Sequence, residues 1–193
     1  MRSYERNLEL AGAFIQLGGT AIAAAGETIT AAGESEGTAG QGLIGAGNGT
    51  EAAGNALQAI ALSENGTRVF SALGSWLQAA GNSTNAFASF VLLKGSREAG
   101  LRLDILGDSI QAVGAAIEAA AVDPSLFYAD EIITGEYLVS FGAGVEAIGS
   151  WYLLQGKEQA GNSINAFGSY LQFTGVALIS GALTKDYIRE DVP

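Results

Sequence analysis

Very small and apolar residues along this chain recur in sevens. Gly12, Gly19, Gly26, Gly33, Gly40, Gly47 and Gly54 stand at a strict seven-residue spacing. The series returns in shifted phase at Gly74, Gly81, Ala88 and Gly95, then at Gly100, Gly107, Gly114 and Ala121. It resumes at Gly135, Gly142, Gly149 and Gly156 and ends with Gly161, Gly168, Gly175 and Ala182. Each heptad reads Gly, small polar, variable or aromatic, Ile/Leu/Val, Gln/Glu/Asn, Ala, apolar. Gly81-Asn82-Ser83-Thr84-Asn85-Ala86-Phe87 and Gly161-Asn162-Ser163-Ile164-Asn165-Ala166-Phe167 show it well. Seven residues make nearly two α-helical turns, so each heptad position traces a stripe along a helix face. A strand would need a period of two.

On a helical wheel, positions two and five lie side by side as a narrow polar stripe. The fifth position holds Gln16, Glu51, Gln58, Gln78, Asn85, Asp104, Gln111, Glu118, Glu146, Asn165 and Gln172. The third is rich in aromatics: Phe14, Trp76, Phe90, Tyr137, Trp151 and Tyr170. Most of the circumference is apolar or very small, which suits helices with neighbours on several sides. Gly inside a helix costs about 1 kcal/mol against Ala. Its repetition therefore predicts close approach of helix backbones, with a neighbour's Ile or Leu packed over the gap.

Breaker and charge clusters punctuate the heptads where their phase shifts. They are Gly33-Glu34-Ser35-Glu36-Gly37, Ser63-Glu64-Asn65-Gly66, Lys94-Gly95-Ser96-Arg97-Glu98, Asp123-Pro124-Ser125 and Gln155-Gly156-Lys157-Glu158. Asp123-Pro124 has the form of a helix start, with Asp as N-cap and Pro in the first turn. The chain is thus expected to be all-α, with six helices near 4–33, 37–63, 67–94, 97–122, 125–155 and 157–187. Turns this short make sequential helices antiparallel. Three tandem hairpins follow (about 1–63, 67–122 and 125–187), forming one repetitive helical domain over 1–193. The stretch 88–114 aligns without gaps onto 149–175, matching Gly95 with Gly156, Gly107 with Gly168 and Gln111 with Gln172. The first hairpin is a divergent copy.

Composition narrows the functional classes. The 28 Gly and 34 Ala do not follow the every-third-residue period of collagen, and 48% apolar residues argue against disorder. Cys and His are both absent, which removes disulfides, thiolate nucleophiles and Cys/His zinc sites. The net charge of −11 argues against nucleic acid and against charge-driven adsorption to anionic lipid. No signal peptide is read at the N-terminus, where Glu5 interrupts any apolar core. The expectation is a cytoplasmic protein or one assembled into a cell- or spore-associated structure. The Asn-x-Ser/Thr triplets at Asn48, Asn65 and Asn82 then read as chance.

Candidate chemistry is sparse. The pairs Asp104/Asp108 and Asp130/Glu131 could do acid–base work, but Asp104 and Asp108, beside Arg102, read as part of a solvated polar stripe. Gly40-Gln41-Gly42 and Gly45-Ala46-Gly47 lack the lysine and preceding strand of a phosphate loop. No catalytic, cofactor or metal site is expected. The residues expected to matter are packing and self-assembly positions. They are Gly74, Gly81, Gly107, Gly114, Gly142, Gly149, Gly161 and Gly168, with the Asn82/Asn85 and Asn162/Asn165 pairs and the tryptophans Trp76 and Trp151. The Asn pairs read either as surface amides or as amide ladders fixing register. The tryptophans read as core or interface packing.

Gly54-Asn55-Ala56-Leu57-Gln58-Ala59, Gly74-Ser75-Trp76-Leu77-Gln78-Ala79-Ala80-Gly81 and Gly149-Ser150-Trp151 resemble the repeating units of an uncharacterised family of repetitive proteins in Bacillus-type bacteria. The resemblance implies a bacterial, helical, non-enzymatic protein and supplies no catalytic residues.

Three functions are weighed. The first is a non-enzymatic structural protein that self-assembles with copies of itself into a filament, tube or coat-like layer. The second is a membrane-embedded or lipid-coating protein. Val69–Leu93 and Gln159–Thr184 carry no charge and are long enough to span a bilayer, but acids stand mid-span in most other helices. The third is a small-molecule enzyme or carrier, which would need convergent polar groups in a cavity and which Gly/Ala seams disfavour because they close cavities.

Overall fold

The computed structural model describes residues 3–33, 38–64, 66 and 68–190. Six helices account for nearly all of them: α1 (Ser3–Ala31), α2 (Thr38–Ser63), α3 (Val69–Leu93), α4 (Arg97–Ala121), α5 (Ala129–Leu154) and α6 (Glu158–Glu190). No strand occurs among the described residues. Each helix packs on its sequence neighbours and α6 returns to α1; among the described residues no other pair of helices brings its backbones together. The result is a closed ring. Packing is closest within the three hairpins and loosest where α6 meets α1.

The glycine heptads explain the tight hairpins. Within each hairpin, glycines of one helix face glycines of the next at matching levels: Gly12/Gly54, Gly19/Gly47 and Gly26/Gly40; Gly74/Gly114 and Gly81/Gly107; Gly135/Gly175, Gly142/Gly168 and Gly149/Gly161. A methyl group on Gly81 would lie 2.6 Å from the Gly107 carbonyl oxygen, and one on Gly107 would lie 2.8 Å from that of Gly81. Backbones this close gain Cα–H···O contacts and van der Waals area that offset the helix cost of Gly. The expected Ile or Leu covers the gap only at some levels, as Ile44 does at Gly26, Ile179 at Gly135 and Leu153 at Gly161. At most others the cover is a polar fifth-position side chain, such as Gln58 over Gly12, Glu118 over Gly74 and Glu146 over Gly168.

Two turns repeat one design. Gly95 (φ 82°) and Gly156 (φ 72°) adopt left-handed backbone after α3 and α5. The next amide in each, Ser96 or Lys157, donates back to Val91 O or Tyr152 O. This closure demands a residue without Cβ. The turn read at 33–37 lies mostly outside the described residues. Asp123-Pro124 does not start α5, which begins at Ala129. Instead the Ser125 amide donates to Asp123 Oδ1 at 2.9 Å, an Asx turn that holds this exposed carboxyl below its ordinary range. The chain then turns again through Leu126–Tyr128 before the helix begins.

The ring has two rims. A turn rim carries the α1–α2, α3–α4 and α5–α6 connections. A terminal rim carries both ends of the described chain and the α2–α3 and α4–α5 connections.

Candidate functional site

The heptad's polar stripe faces the centre of the ring. The second- and fifth-position residues Asn55, Gln58, Ser75, Gln78, Asn82, Asn85, Asp108, Gln111, Ser150 and Asn165 are all buried. This corrects the solvated reading of Asp104 and Asp108. Asp108 is 2% exposed, and Asp104 lines an interior cavity. It also removes the surface-amide reading of Asn82, Asn85 and Asn165, since Asn82 is wholly buried. Asn162 is half-buried and lines the same cavity as Asp104. Polarity alone could not have told inside from outside, because an amphipathic stripe is symmetric to that question.

Interior side chains bond both between neighbouring helices and, at Gln111–Gln172 and Gln78–Glu136, between helices whose backbones do not meet. Gln111 on α4 donates to Gln172 on α6, and Gln172 donates to Glu146 on α5 at 2.6 Å. Gln78 on α3 donates to Glu136 on α5 at 3.1 Å and to Glu118 on α4 at 3.0 Å. Ser75 adds a bond to Glu118 at 2.8 Å. Asn85 donates to Asp108 at 2.6 Å. Asn165 donates to Ser150, whose hydroxyl donates to Asp104 at 2.6 Å. Gln58 donates to Gln16 at 2.8 Å.

Five carboxylates, Glu27, Glu51, Asp104, Asp108 and Glu146, come near enough to act on one another electrostatically. Glu118 and Glu136 form a second group, with Glu9 and its partner Arg68 at the terminal rim. Among the described residues, none of the first five is ion-paired to Lys or Arg, and no three acids gather as a metal ligand set. A cavity of about 240 Å³ enters from the turn rim, lined by Glu27, Gln41, Asp104, Asn162 and Asn165, with Arg97 and Glu158 at its edge. A void of about 20 Å³ follows among Glu27, Glu51, Glu146 and Gln172. Beside the deeper acids, Ala115, Val139, Val176 and Ile179, backed by Leu17 and Leu183, form an apolar cluster.

The outer face is the reverse. The six third-position aromatics are each between 46% and 54% exposed. The seventh-position residues Phe87, Leu106, Val113, Phe141, Ile148 and Phe167 are exposed as well. Trp76 and Trp151 therefore sit on the outside of the ring and not in its core. Outward hydroxyls return to their own helix: Thr28 to Ala24 O, Ser83 to Ala79 O, Ser109 to Ile105 O and Thr174 to Tyr170 O. Exposed charge occurs only at the rims among the described residues. The deepest, Arg102, lies five residues into α4 and pairs with Glu98 at 2.8 Å. Rim cations rest on aromatic rings, with Lys94 over Phe90 and Lys157 over Tyr152 at one end. Arg6 over Tyr187 and Arg189 over Phe127 do the same at the other.

Gly74, Gly81, Gly107, Gly114, Gly142, Gly149, Gly161 and Gly168 all lie in the hairpin seams. Asp130 and Glu131 open α5 at the terminal rim, and Gly40–Gly47 is helical throughout. Glu27 and Glu136, second-position acids in the interior, were not singled out from the sequence. Their place directly after a seam glycine is the signal that marks them.

A closed ring of six antiparallel helices, polar within and apolar without, defines the class: an inside-out α-helical barrel. The chain belongs to a family of unknown function (DUF6944), whose model matches residues 7–180. No curated protein and no solved structure matches it.

Proposed function

We propose that this protein is membrane-embedded, a helical barrel that shields an acidic interior from lipid. The observation that carries the reading is the absence of exposed charge between the rims on all six described helices. From Arg68 to Lys94 the charge-free span of α3 is about 39 Å at the helical rise, enough for a hydrocarbon core and its interfaces. Aromatics paired with cations at both rims have the composition of interfacial anchors. Every outward hydroxyl named above is satisfied within its own helix, as lipid surroundings require. Small-residue seams are a regular means of helix association in bilayers.

The mid-span acids that weigh against a membrane in the sequence all turn inward. They also explain the hydropathy profile. Among the described residues, only α1 (from Tyr4) and α6 (to Arg189) are long and apolar enough to cross a membrane by composition. In the other helices, interior Gln, Asn, Asp and Glu lower a mean that ignores direction. Together with the resemblance to repetitive proteins of Bacillus-type bacteria, this reading puts the barrel in a bacterial membrane.

Self-assembly into a filament or coat is the second reading, favoured by the repetition of third- and seventh-position apolar stripes around the barrel. Copies, like lipid, would cover them. The two part on fractionation. The full chain, expressed in bacteria, is expected in the membrane fraction, resistant to carbonate extraction, and to float with vesicles after reconstitution. Detergent-free soluble protein forming filaments or sheets by electron microscopy would overturn the membrane reading in favour of assembly.

A further inference from the structure

We propose that the interior of the barrel is a proton pathway, open to water at the turn rim and closed to hydrated ions where it narrows. The inference rests on the membrane reading and goes beyond it, since a barrel could sit in lipid with an inert centre.

The acids are spaced along the axis. Counted from the turn rim at the helical rise, Asp104 and Glu146 lie about 10–12 Å deep, Asp108 about 16 Å and Glu51 about 20 Å. Glu136 and Glu118 lie deeper, about 27–31 Å, and Glu9 with Arg68 closes the file at the terminal rim. These groups come from α1, α2, α4 and α5, while α3 and α6 contribute only amides and hydroxyls at the same levels. Among the described residues no three acids form a metal-ligand cluster, and the acids are strung along the axis. Such a file suits a carrier that needs one oxygen at a time.

A second observation points to an occupant. Glu51 Oε2 and Asp108 Oδ2 have no hydrogen-bond partner, although each residue is at least nine-tenths buried; Asn165 Oδ1, also without one, is seated over Gly149. Glu51 lines the 20 Å³ void and Asn165 the 240 Å³ cavity. Buried oxygens of this kind are satisfied by water where there is room, and the smaller void has room for about one molecule. Deeper, Gln111 Oε1 and Gln78 Oε1 are also unpartnered, at adjacent levels of the α3–α4 seam. They are the bridging points between the two acid groups. Amides there do not titrate but hold water in line.

The passage narrows from a wide mouth to single-water dimensions among Glu27, Glu51, Glu146 and Gln172, and the buried apolar cluster of Ala115, Val139, Val176 and Ile179 lies apart from that void. A hydrated cation cannot pass such a constriction intact. A proton can, because it hops. One carboxyl oxygen accepts it from water while the other oxygen releases one to the next water, so each group ends as it began. Nothing is oxidised or reduced, and the net result is one proton moved down its gradient.

The test uses the full chain in vesicles containing a pH-sensitive dye, with a potassium gradient and valinomycin setting the potential. Flotation and circular dichroism are measured on the same vesicles. The expected result is internal acidification well above that of protein-free vesicles, without sodium flux. Asp108→Asn and Glu146→Gln should each slow it about 100-fold, the scale on which a positioned proton-transfer group acts. Glu98→Gln, on the outer face, should leave it unchanged. Floating, helical protein with no flux above empty vesicles would overturn the pathway and leave the membrane reading intact. Protein that does not float would overturn both. Sodium flux comparable to proton flux, or full proton flux in both interior variants, would overturn the pathway.

Discussion

Gly81 and Gly144 are both helical glycines of one chain, yet they do opposite things. A methyl on Gly81 would strike the Gly107 carbonyl oxygen and the Gln111 amide of the facing helix, which are backbone and cannot step aside. A methyl on Gly144 would meet nothing within 4 Å. Gly81→Ala should therefore destabilise the barrel by about 1–3 kcal/mol, the usual cost of overpacking. Gly144→Ala should stabilise it by up to about 1 kcal/mol through helix propensity alone. Denaturant titration of both variants in the same detergent measures the pair. Equal responses would show that the seams are not in contact. Gly107 is constrained further, because Asn85 Oδ1 lies over it on the interior side.

At the scale of the helix, much was legible in the sequence, and the reason is periodicity. Seven-residue spacing gives helices, phase shifts give turns, and short turns give antiparallel hairpins. Positions two and five were correctly grouped as one polar stripe. What periodicity lacks is a sign. Gln78, Asn85 and Asp108 form the same stripe whether water lies outside the ring or only within it. The aromatic third position, Trp76 or Tyr137, was the better guide, since six large residues at one heptad position exceed what a Gly/Ala seam can bury. α5 starts later than Asp123-Pro124 suggests for a local reason: the Asp123 carboxyl accepts from the Ser125 amide in a turn and does not cap a helix. The outer face offers a direct check at this scale. Phe141→Arg puts a charge midway along α5 on an exposed position, costing about 3 kcal/mol of membrane insertion, whereas Phe141→Leu should cost little. The membrane-to-soluble ratio of the two variants gives the answer. Identical partitioning would place that face away from lipid.

For the whole molecule, closure of the ring joins these scales. Six helices with Gly seams and a polar stripe can satisfy the stripe only by turning it to a shared centre. There, Gln111 bonds to Gln172 and Gln78 to Glu136 across the lumen, each between helices whose backbones do not otherwise meet. Buried polar networks of this kind fix register, because each slip leaves several groups unpaired. The apolar outside follows from the same geometry. Its surroundings are reported by the chain's own two tryptophans, Trp76 and Trp151, both about half exposed on the outer face and on different helices. The most direct measurement is their fluorescence in vesicles made with brominated acyl chains, compared with quenching by aqueous acrylamide. The barrel account predicts strong quenching by the brominated lipid and protection from acrylamide. Protection from both quenchers would mean that protein covers the outer face. Quenching by acrylamide alone would mean that water does, and either result would contradict the account.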